Sequence, residues 1–131
     1  MIRLSKKADY SLTALKHILS KENEPSSARE IAQACGIPFE VLAKLLQKLA
    51  RKGFLISQYG TKGGYSPARG PGSITVRDVL EAIEGPLAVL EYSKPRNGLC
   101  DRETSCTVKR PLALVEQKVL DLLGRTTLRE I

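Results

Sequence analysis

Apolar residues recur near the start of the chain at the spacing of one helical face. Ser5 can cap this first helix, because a serine hydroxyl accepts a hydrogen bond from a first-turn backbone N–H. The apolar positions of the first helix are spaced by four, four, three and four residues: Leu4, Ala8, Leu12, Leu15 and Leu19.

A second, shorter helix should run from a capping box formed by Ser27 and Glu30 to Ala34.

A third helix should begin near Phe39, after a turn at Gly36, and should end at Gly53. Its apolar and polar positions fall on opposite faces, which is typical of a helix that packs one side against a core. The inward positions are Leu42, Leu45, Leu46 and Leu49. The outward positions are Glu40, Lys44, Gln47 and Arg51.

The pattern then changes to that of a β-hairpin. A short apolar run at 54–57 and the residues Tyr65 and Ser66 flank the glycine-rich stretch 59–64. This arrangement predicts two short strands joined by a tip that carries the charge of Lys62. A short helix, a turn, a second helix and a hairpin, in this order, make up a winged helix-turn-helix.

The second half of the chain should hold two more helices. Thr75 and Asp78 form another capping box, which opens a helix that ends near Glu84. A loop with Cys100 and Cys106 follows. A long helix comes next, with the apolar seam of a helix that packs on another helix: Val108, Leu112, Val115, Val119 and Leu122. We therefore expect a mainly α protein with a small β-wing, in which a winged helix-turn-helix domain is followed by a long C-terminal dimerisation helix.

Composition places the chain among ordinary globular proteins, since 42% of its residues are hydrophobic and 27% are charged. The net charge of +7 lies in the first half, because residues 1–70 hold 12 Lys or Arg against 5 Asp or Glu and the remainder holds 9 of each. This asymmetry indicates a polyanionic partner for the N-terminal half, and a merely solvated basic face is the alternative. No apolar run is long enough for a membrane span and the start lacks the pattern of a signal peptide, so we expect a cytoplasmic protein with no membrane partner.

The charge and the wing together favour DNA binding over a plain three-helix core. The third helix of such a fold enters the major groove, which makes Phe39, Glu40 and Lys44 candidates for base contacts. The candidates for phosphate contacts are Ser5, Ser27, Lys62, Gly63 and Gly64. The sequence has no nucleophile–base pair and no phosphate-loop motif that would indicate an enzyme.

Several stretches carry a family resemblance. They are Lys62-Gly63-Gly64-Tyr65 in the wing, the segment 74–86, the pair Cys100 and Cys106, the opening segment 1–12, and the stretches 31–32, 36–38 and 42–55. Over nearly its whole length the chain resembles the Rrf2 family of bacterial winged helix-turn-helix transcriptional regulators, which includes IscR-type iron–sulfur regulators, NsrR-type nitric-oxide sensors and a repressor of cysteine metabolism. The resemblance implies a homodimer that binds palindromic double-stranded DNA and pairs through its last long helix. It also implies an iron–sulfur cluster, here expected to be 2Fe–2S, in the loop before that helix.

Two positions depart from the family pattern. Cluster-bearing relatives carry three cysteines spaced six apart, but Leu112 stands at the third position here. Relatives often have a wing arginine that can enter the minor groove, and Tyr59 takes its place as a candidate DNA contact. The resemblance also makes Asp9, from the opposite subunit, a candidate third metal ligand beside Cys100 and Cys106. The alternative role of Asp9 is to stabilise the N-terminus of the first helix through the helix dipole.

The cysteines indicate reduced thiols or ligands, since three of them without a secretory signal do not suit a disulfide framework. Cys35 shares a helical face with Ile31 and should serve in packing. Cys100 and Cys106 lie in a loop with cations that favour the thiolate form: Lys94, Arg96 and Arg102.

The resulting hypothesis is a dimeric transcriptional repressor with three regions. Residues 1–75 would bind DNA, residues 76–107 would form a linking helix and a sensing loop, and residues 108–131 would form the dimerisation helix and a tail. Operator binding would respond to an iron–sulfur cluster or to a redox signal at Cys100 and Cys106. The alternatives are a metal-free thiol–disulfide switch, a cluster-less regulator under the control of a protein partner, and a protein that binds DNA without sequence choice.

Overall fold

The computed structural model describes residues 4–21, 24–60, 63–87 and 109–131. Five helices, a two-stranded antiparallel sheet and a short 3₁₀ turn make up the described fold, so the predicted mainly helical architecture with a small wing is confirmed. In chain order the elements are α1 (Lys6–Ser20), α2 (Ala28–Cys35), α3 (Phe39–Arg51), β1 (Leu55–Gln58), β2 (Gly64–Pro67), the 3₁₀ turn (Pro71–Ser73), α4 (Val76–Glu84) and α5 (Lys109–Arg125).

The helices start where the capping residues predicted. The Ser5 hydroxyl accepts a hydrogen bond from the backbone N–H of Ala8 at 3.1 Å, and α2 begins after an equivalent bond from Glu30 to the Ser27 hydroxyl, also 3.1 Å. At α4 both halves of the capping box between Thr75 and Asp78 are present. These local bonds satisfy N–H groups that a helix leaves without partners, and they fix the three helix starts.

The inward face of α1 differs from the predicted leucine stripe. Ala8 and Leu15 are buried as predicted, but Leu4 is 55% exposed. Buried positions that the pattern missed include Ser11, whose hydroxyl donates to the backbone carbonyl of Lys7 at 2.7 Å. Because this bond satisfies the hydroxyl inside its own helix, Ser11 can be buried without an unpaired polar group. The core face of α1 is Ala8, Ser11, Ala14, Leu15 and Ile18, while Leu12 and Leu19 are only half-buried.

The core lies between the first four helices and the wing. The inward leucines of α3 are buried as predicted. The largest fully buried side chains of this core are Leu15, Ile18, Ile31, Leu42, Leu46, Leu49, Ile74, Val79 and Leu128. Leu128 is therefore a core residue of the N-terminal half although it lies beyond α5.

The wing is hydrogen-bonded to the segment that leads into α2. Strands β1 and β2 pair antiparallel from Leu55 opposite Pro67 to Gln58 opposite Gly64. Tyr65 also pairs with Ser26 through two backbone hydrogen bonds of 3.0 and 2.8 Å. The wing and the helix-turn-helix are thus one hydrogen-bonded unit.

The chain beyond α5 returns to the start of α4. The Val76 N–H donates to the Thr126 carbonyl at 2.8 Å, and the Leu128 N–H donates to the Ile74 carbonyl at 2.9 Å. These bonds flank an isolated bridge between Thr75 and Thr127. Because Leu128 is only 1% exposed, the C-terminal end of α5 is anchored in the winged half of the molecule.

Helix α5 exposes part of its predicted seam. Val115 and Leu122 are 52% and 58% exposed, and their neighbour Leu114 is 66% exposed. Leu112 and Val119 are half-buried, and Val108 lies outside the described residues. Leu120 is buried, and α5 packs on α4. Within the described parts of the chain, no helix has the length and apolar character needed to cross a bilayer.

Candidate nucleic-acid interface

Helix α3 presents the three residues predicted to contact bases. Phe39 is its first residue, and Phe39, Glu40 and Lys44 are all exposed. The opposite face of the same helix is buried in the core. The first turns of α3 are therefore held rigidly with an exposed side that combines an aromatic ring, a carboxylate and an ammonium group.

An arginine that the sequence pattern did not single out stacks on this surface. The Arg29 guanidinium lies 5.3 Å from the centroid of the Phe39 ring, and both residues are exposed. Arg29 belongs to the first turn of α2 and Phe39 to α3, so only the packing of the two helices brings them together. The signal available in sequence was weak: an arginine two residues after the cap Ser27.

The predicted phosphate contacts Ser5 and Ser27 both lie at helix N-termini, which are favourable places for an anion. Their hydroxyls already have partners within the protein. Ser27 caps α2, whereas Ser5 caps α1 and also donates to the Glu84 carboxylate. Both residues are half-buried. At these two places the backbone N–H groups of the first turns, rather than the hydroxyls, are the remaining donors for a phosphate.

The glycine pair of the wing has a structural role within the protein. A Cβ atom on Gly64, whose φ is +151°, would lie 2.8 Å from the Ser27 nitrogen and closer still to the Ser26 carbonyl oxygen. A Cβ atom on Gly63 would lie 2.9 Å from the Gly60 carbonyl oxygen. Both glycines are thus required for close approaches inside the wing and between the wing and α2. The geometry also brings Gly64 next to Ser27, so two predicted phosphate contacts are neighbours.

Three further wing residues bear on DNA contact, and the structure describes two of them. Tyr59, just beyond β1, is 96% exposed. Lys62, at the predicted tip, lies outside the described residues. Strand β1 also exposes half of Ile56. The described wing therefore offers an aromatic and an aliphatic side chain to a partner.

The predicted sensing residues are mostly beyond what the structure describes. Cys100 and Cys106 lie outside the described residues, and Asp9 is exposed in the first turn of α1. Cys35, at the end of α2, packs against the core, and its burial raises the pKa of its thiol. A raised pKa disfavours the nucleophilic thiolate, which agrees with the predicted packing role. Within the described ranges, no three side chains of His, Cys, Asp or Glu lie together as a metal site would need.

Comparison with known proteins gives similarities over nearly the whole chain. A family model described as Rrf2, iron-dependent transcriptional regulator, matches residues 4–131. The HTH-type transcriptional regulator CymR of Bacillus subtilis is 30% identical over 132 residues, which cover 99% of this chain and 89% of that relative. The solved structure of CymR, described as the global cysteine regulator of B. subtilis, matches with a TM-score of 0.81 and covers 99% of this chain and 95% of that chain.

Two further solved structures resemble this fold at lower identity. IscR from T. potens matches with a TM-score of 0.76 and 25% identity, over 98% of this chain and 85% of that chain. The oxidized form of Staphylococcus aureus CymR matches with a TM-score of 0.74 and 25% identity, over 98% of this chain and 94% of that chain. Each match extends over both the winged half and α5.

Proposed function

Because the chain belongs to the Rrf2 family of transcriptional regulators, we propose that it represses transcription by binding a palindromic operator as a homodimer. Its relatives regulate transcription and are not enzymes. The observation that carries the proposal is the exposure of Phe39, Glu40 and Lys44 on the first turns of α3, whose other face is fixed in the core. In helix-turn-helix proteins the N-terminal residues of this helix contact base edges.

Each exposed group has a chemical counterpart on DNA. The Lys44 ammonium suits the two acceptors of guanine in the major groove, and the Glu40 carboxylate suits the amino group of cytosine. The first helical turns after Ser5 and Ser27 contribute backbone N–H groups to phosphates, Gly63 and Gly64 let the wing backbone come close to the DNA, and Lys62 and Tyr59 complete the contacts of the wing. The positive charge confined to residues 1–70 supports this assignment.

The homodimer is supported by the exposed side of α5. Leu114, Val115 and Leu122 leave an apolar surface on a helix whose other side packs on the chain's own α4. A two-fold dimer places two copies of α3 on two half-sites, and this is the arrangement that a palindromic operator requires. In this proposal residues 1–75 bind DNA, residues 76–107 sense the signal and residues 108–131 hold the dimer together.

Selection from a random duplex pool, followed by affinity measurements, tests the DNA-binding proposal. We expect the selected sequences to be palindromic. Lys44→Ala should lower affinity for the selected operator by about tenfold or more, because it removes a base contact. Its effect on random DNA should be smaller. Lys62→Ala is the matched control, since loss of a phosphate contact should weaken both duplexes alike. A protein that binds every duplex equally would contradict the proposal and indicate DNA binding without sequence choice.

The signal is proposed to act on Cys100 and Cys106 in the loop before α5. The description of the family names iron. The similar CymR of B. subtilis is described as a cysteine regulator, and the structure of CymR from Staphylococcus aureus is that of an oxidized form. An iron–sulfur cluster would be held by Cys100, Cys106 and the Asp9 carboxylate of the second copy. A bound cluster supplies a group that oxidation or nitric oxide can destroy. This donor set has fewer thiolates than the usual four, so we expect weak and labile binding.

Anaerobic purification, with reconstitution by iron and sulfide, distinguishes the two chemistries. A cluster should give visible charge-transfer absorption that Cys100→Ala, Cys106→Ala and Asp9→Ala each reduce. A metal-free thiol switch should give a colourless protein. Mild oxidation should then change its affinity for DNA, and either loop-cysteine variant should abolish that change. Cys35→Ala is the control and should leave both readouts unchanged, because Cys35 packs against the core. A colourless protein that does not respond to oxidation would contradict both chemistries and favour control by a protein partner.

A further inference from the structure

The ring of Phe39 is exposed at a place where the core does not need it. Of the two phenylalanines in the chain, Phe54 is 4% exposed and belongs to the core, whereas Phe39 is 43% exposed. The core contacts of α3 come from its four inward leucines. An aromatic side chain left in water costs hydrophobic free energy, so its position at the start of α3 calls for a partner.

The two arginine–phenylalanine stacks of the structure differ in what holds the arginine. Arg69 lies 5.2 Å from the ring centroid of the buried Phe54. It also bonds the Ser73 carbonyl at 2.7 Å and lies 3.7 Å from the Asp78 carboxylate. In the part of the chain that the structure describes, Arg29 makes no salt bridge. Its stack on Phe39 therefore fixes the ring while leaving the positive charge available.

Helix geometry separates Phe39 from the other exposed apolar residue of α3. Val41 is 37% exposed, but it lies two residues further along the helix and therefore about 200° around the axis. Phe39 is the first residue of α3 and lies beside Arg29 of α2, whereas Val41 is the closer of the two to Lys44 around the helix axis. Of these two residues, Phe39 is thus the one at the N-terminal end of α3 and next to the first turn of α2, and the N-terminal residues of this helix contact base edges in helix-turn-helix proteins.

We propose that the Phe39 ring contacts the 5-methyl group of a thymine in each half-site, with Arg29 as the residue that positions the ring. The thymine methyl is the apolar group that base edges present in the major groove, and it is a known partner of phenylalanine there. Arg29 stacks on the ring and meets the adjacent phosphate with its free charge. This inference rests on the proposed operator binding and adds to it the base that α3 reads first.

Deoxyuridine tests the inference, because it differs from thymidine only by the missing methyl group. The operator selected above is remade with one thymine at a time replaced by deoxyuridine, and the Kd of each duplex is measured. For the unmodified protein, one thymine in each half-site should cost about fourfold in affinity on losing its methyl. Phe39→Ala should bind the thymine operator more weakly and should not distinguish thymine from uracil at that position. Val41→Ala, which removes the other exposed apolar side chain of α3, should retain the fourfold difference.

The same comparison of the thymine operator with the deoxyuridine operator tests the role of Arg29. Arg29→Lys keeps the charge but loses the planar stack. This variant should therefore keep its affinity for random DNA. The ratio of its affinities for the thymine operator and the deoxyuridine operator should fall towards one. A variant in which only the fold was damaged would instead lose affinity for both duplexes.

Three outcomes would overturn the inference. If the protein prefers its operator but no deoxyuridine substitution weakens binding, Phe39 does not read a methyl group and the proposed function stands. If the fourfold difference survives in Phe39→Ala, another side chain reads the methyl. If selection gives no preferred sequence, the proposed function fails together with this inference.

Discussion

Leu122→Glu should convert the protein from a dimer into a monomer and weaken binding to the full operator by on the order of a hundredfold. Leu122 is 58% exposed within one chain, so a glutamate there costs the single chain little. In a dimer through α5 the same carboxylate would be buried without a partner, at a cost that disrupts the interface. Sedimentation velocity and the Kd for the selected operator measure the two effects.

Ala113→Glu is the matched control for this prediction. Ala113 is exposed and lies on the opposite side of α5 from Leu122, so the same charge is introduced outside the proposed interface. This variant should remain a dimer with unchanged operator affinity. If Leu122→Glu stays dimeric with full affinity, the subunits pair through another surface.

Gly64→Ala should lower the free energy of unfolding by about 3 kcal/mol. The new methyl group would lie 2.8 Å from the Ser27 nitrogen and closer still to the Ser26 carbonyl oxygen, and the φ of +151° is unfavourable for a residue with a side chain. Both neighbours are backbone atoms, so the clash can be relieved only by separating the wing from the segment before α2. Urea denaturation measures the loss.

A second glycine substitution separates this clash from the general effect of replacing glycine. A Cβ atom on Gly70 would have nothing within 4 Å, and the φ of this residue is −71°. Gly70→Ala should therefore change stability by less than about 1 kcal/mol, and in the stabilising direction. Equal urea midpoints for Gly64→Ala and Gly70→Ala would show that the bridge between Ser26 and Tyr65 does not hold the wing in place.

Features set by neighbouring residues were predictable from the sequence. The starts of α1, α2 and α4 depend on Ser5, Ser27 and Thr75, whose caps involve atoms only three residues away. The two faces of α3 follow from helical periodicity alone. The base-contact candidate Lys44 is exposed for the same reason, since it lies outside the apolar stripe. Phe39 continues the spacing of Leu42 and Leu46, so helical periodicity did not predict its exposure.

Features set by contacts between distant residues were not predictable. The inward face of α1 includes Ser11 because its hydroxyl is satisfied within the helix, and a count of apolar residues cannot detect this. The stack of Arg29 on Phe39 depends on how α2 meets α3. The crowding at Gly64 comes from a backbone segment nearly forty residues earlier in the chain. In each case the missing information is the packing of elements, which spacing along the sequence does not contain.

The return of the chain after α5 has a consequence for how the protein is made. Leu128 fills the same core as Leu15 and Ile31, and the Thr126 carbonyl and the Leu128 N–H bond to the start of α4. The DNA-binding half thus lacks a core side chain until the residues that follow α5 have left the ribosome. A nascent chain, or one shortened by a nonsense codon before position 126, would carry an incomplete core and would be a target for proteases before it could occupy an operator.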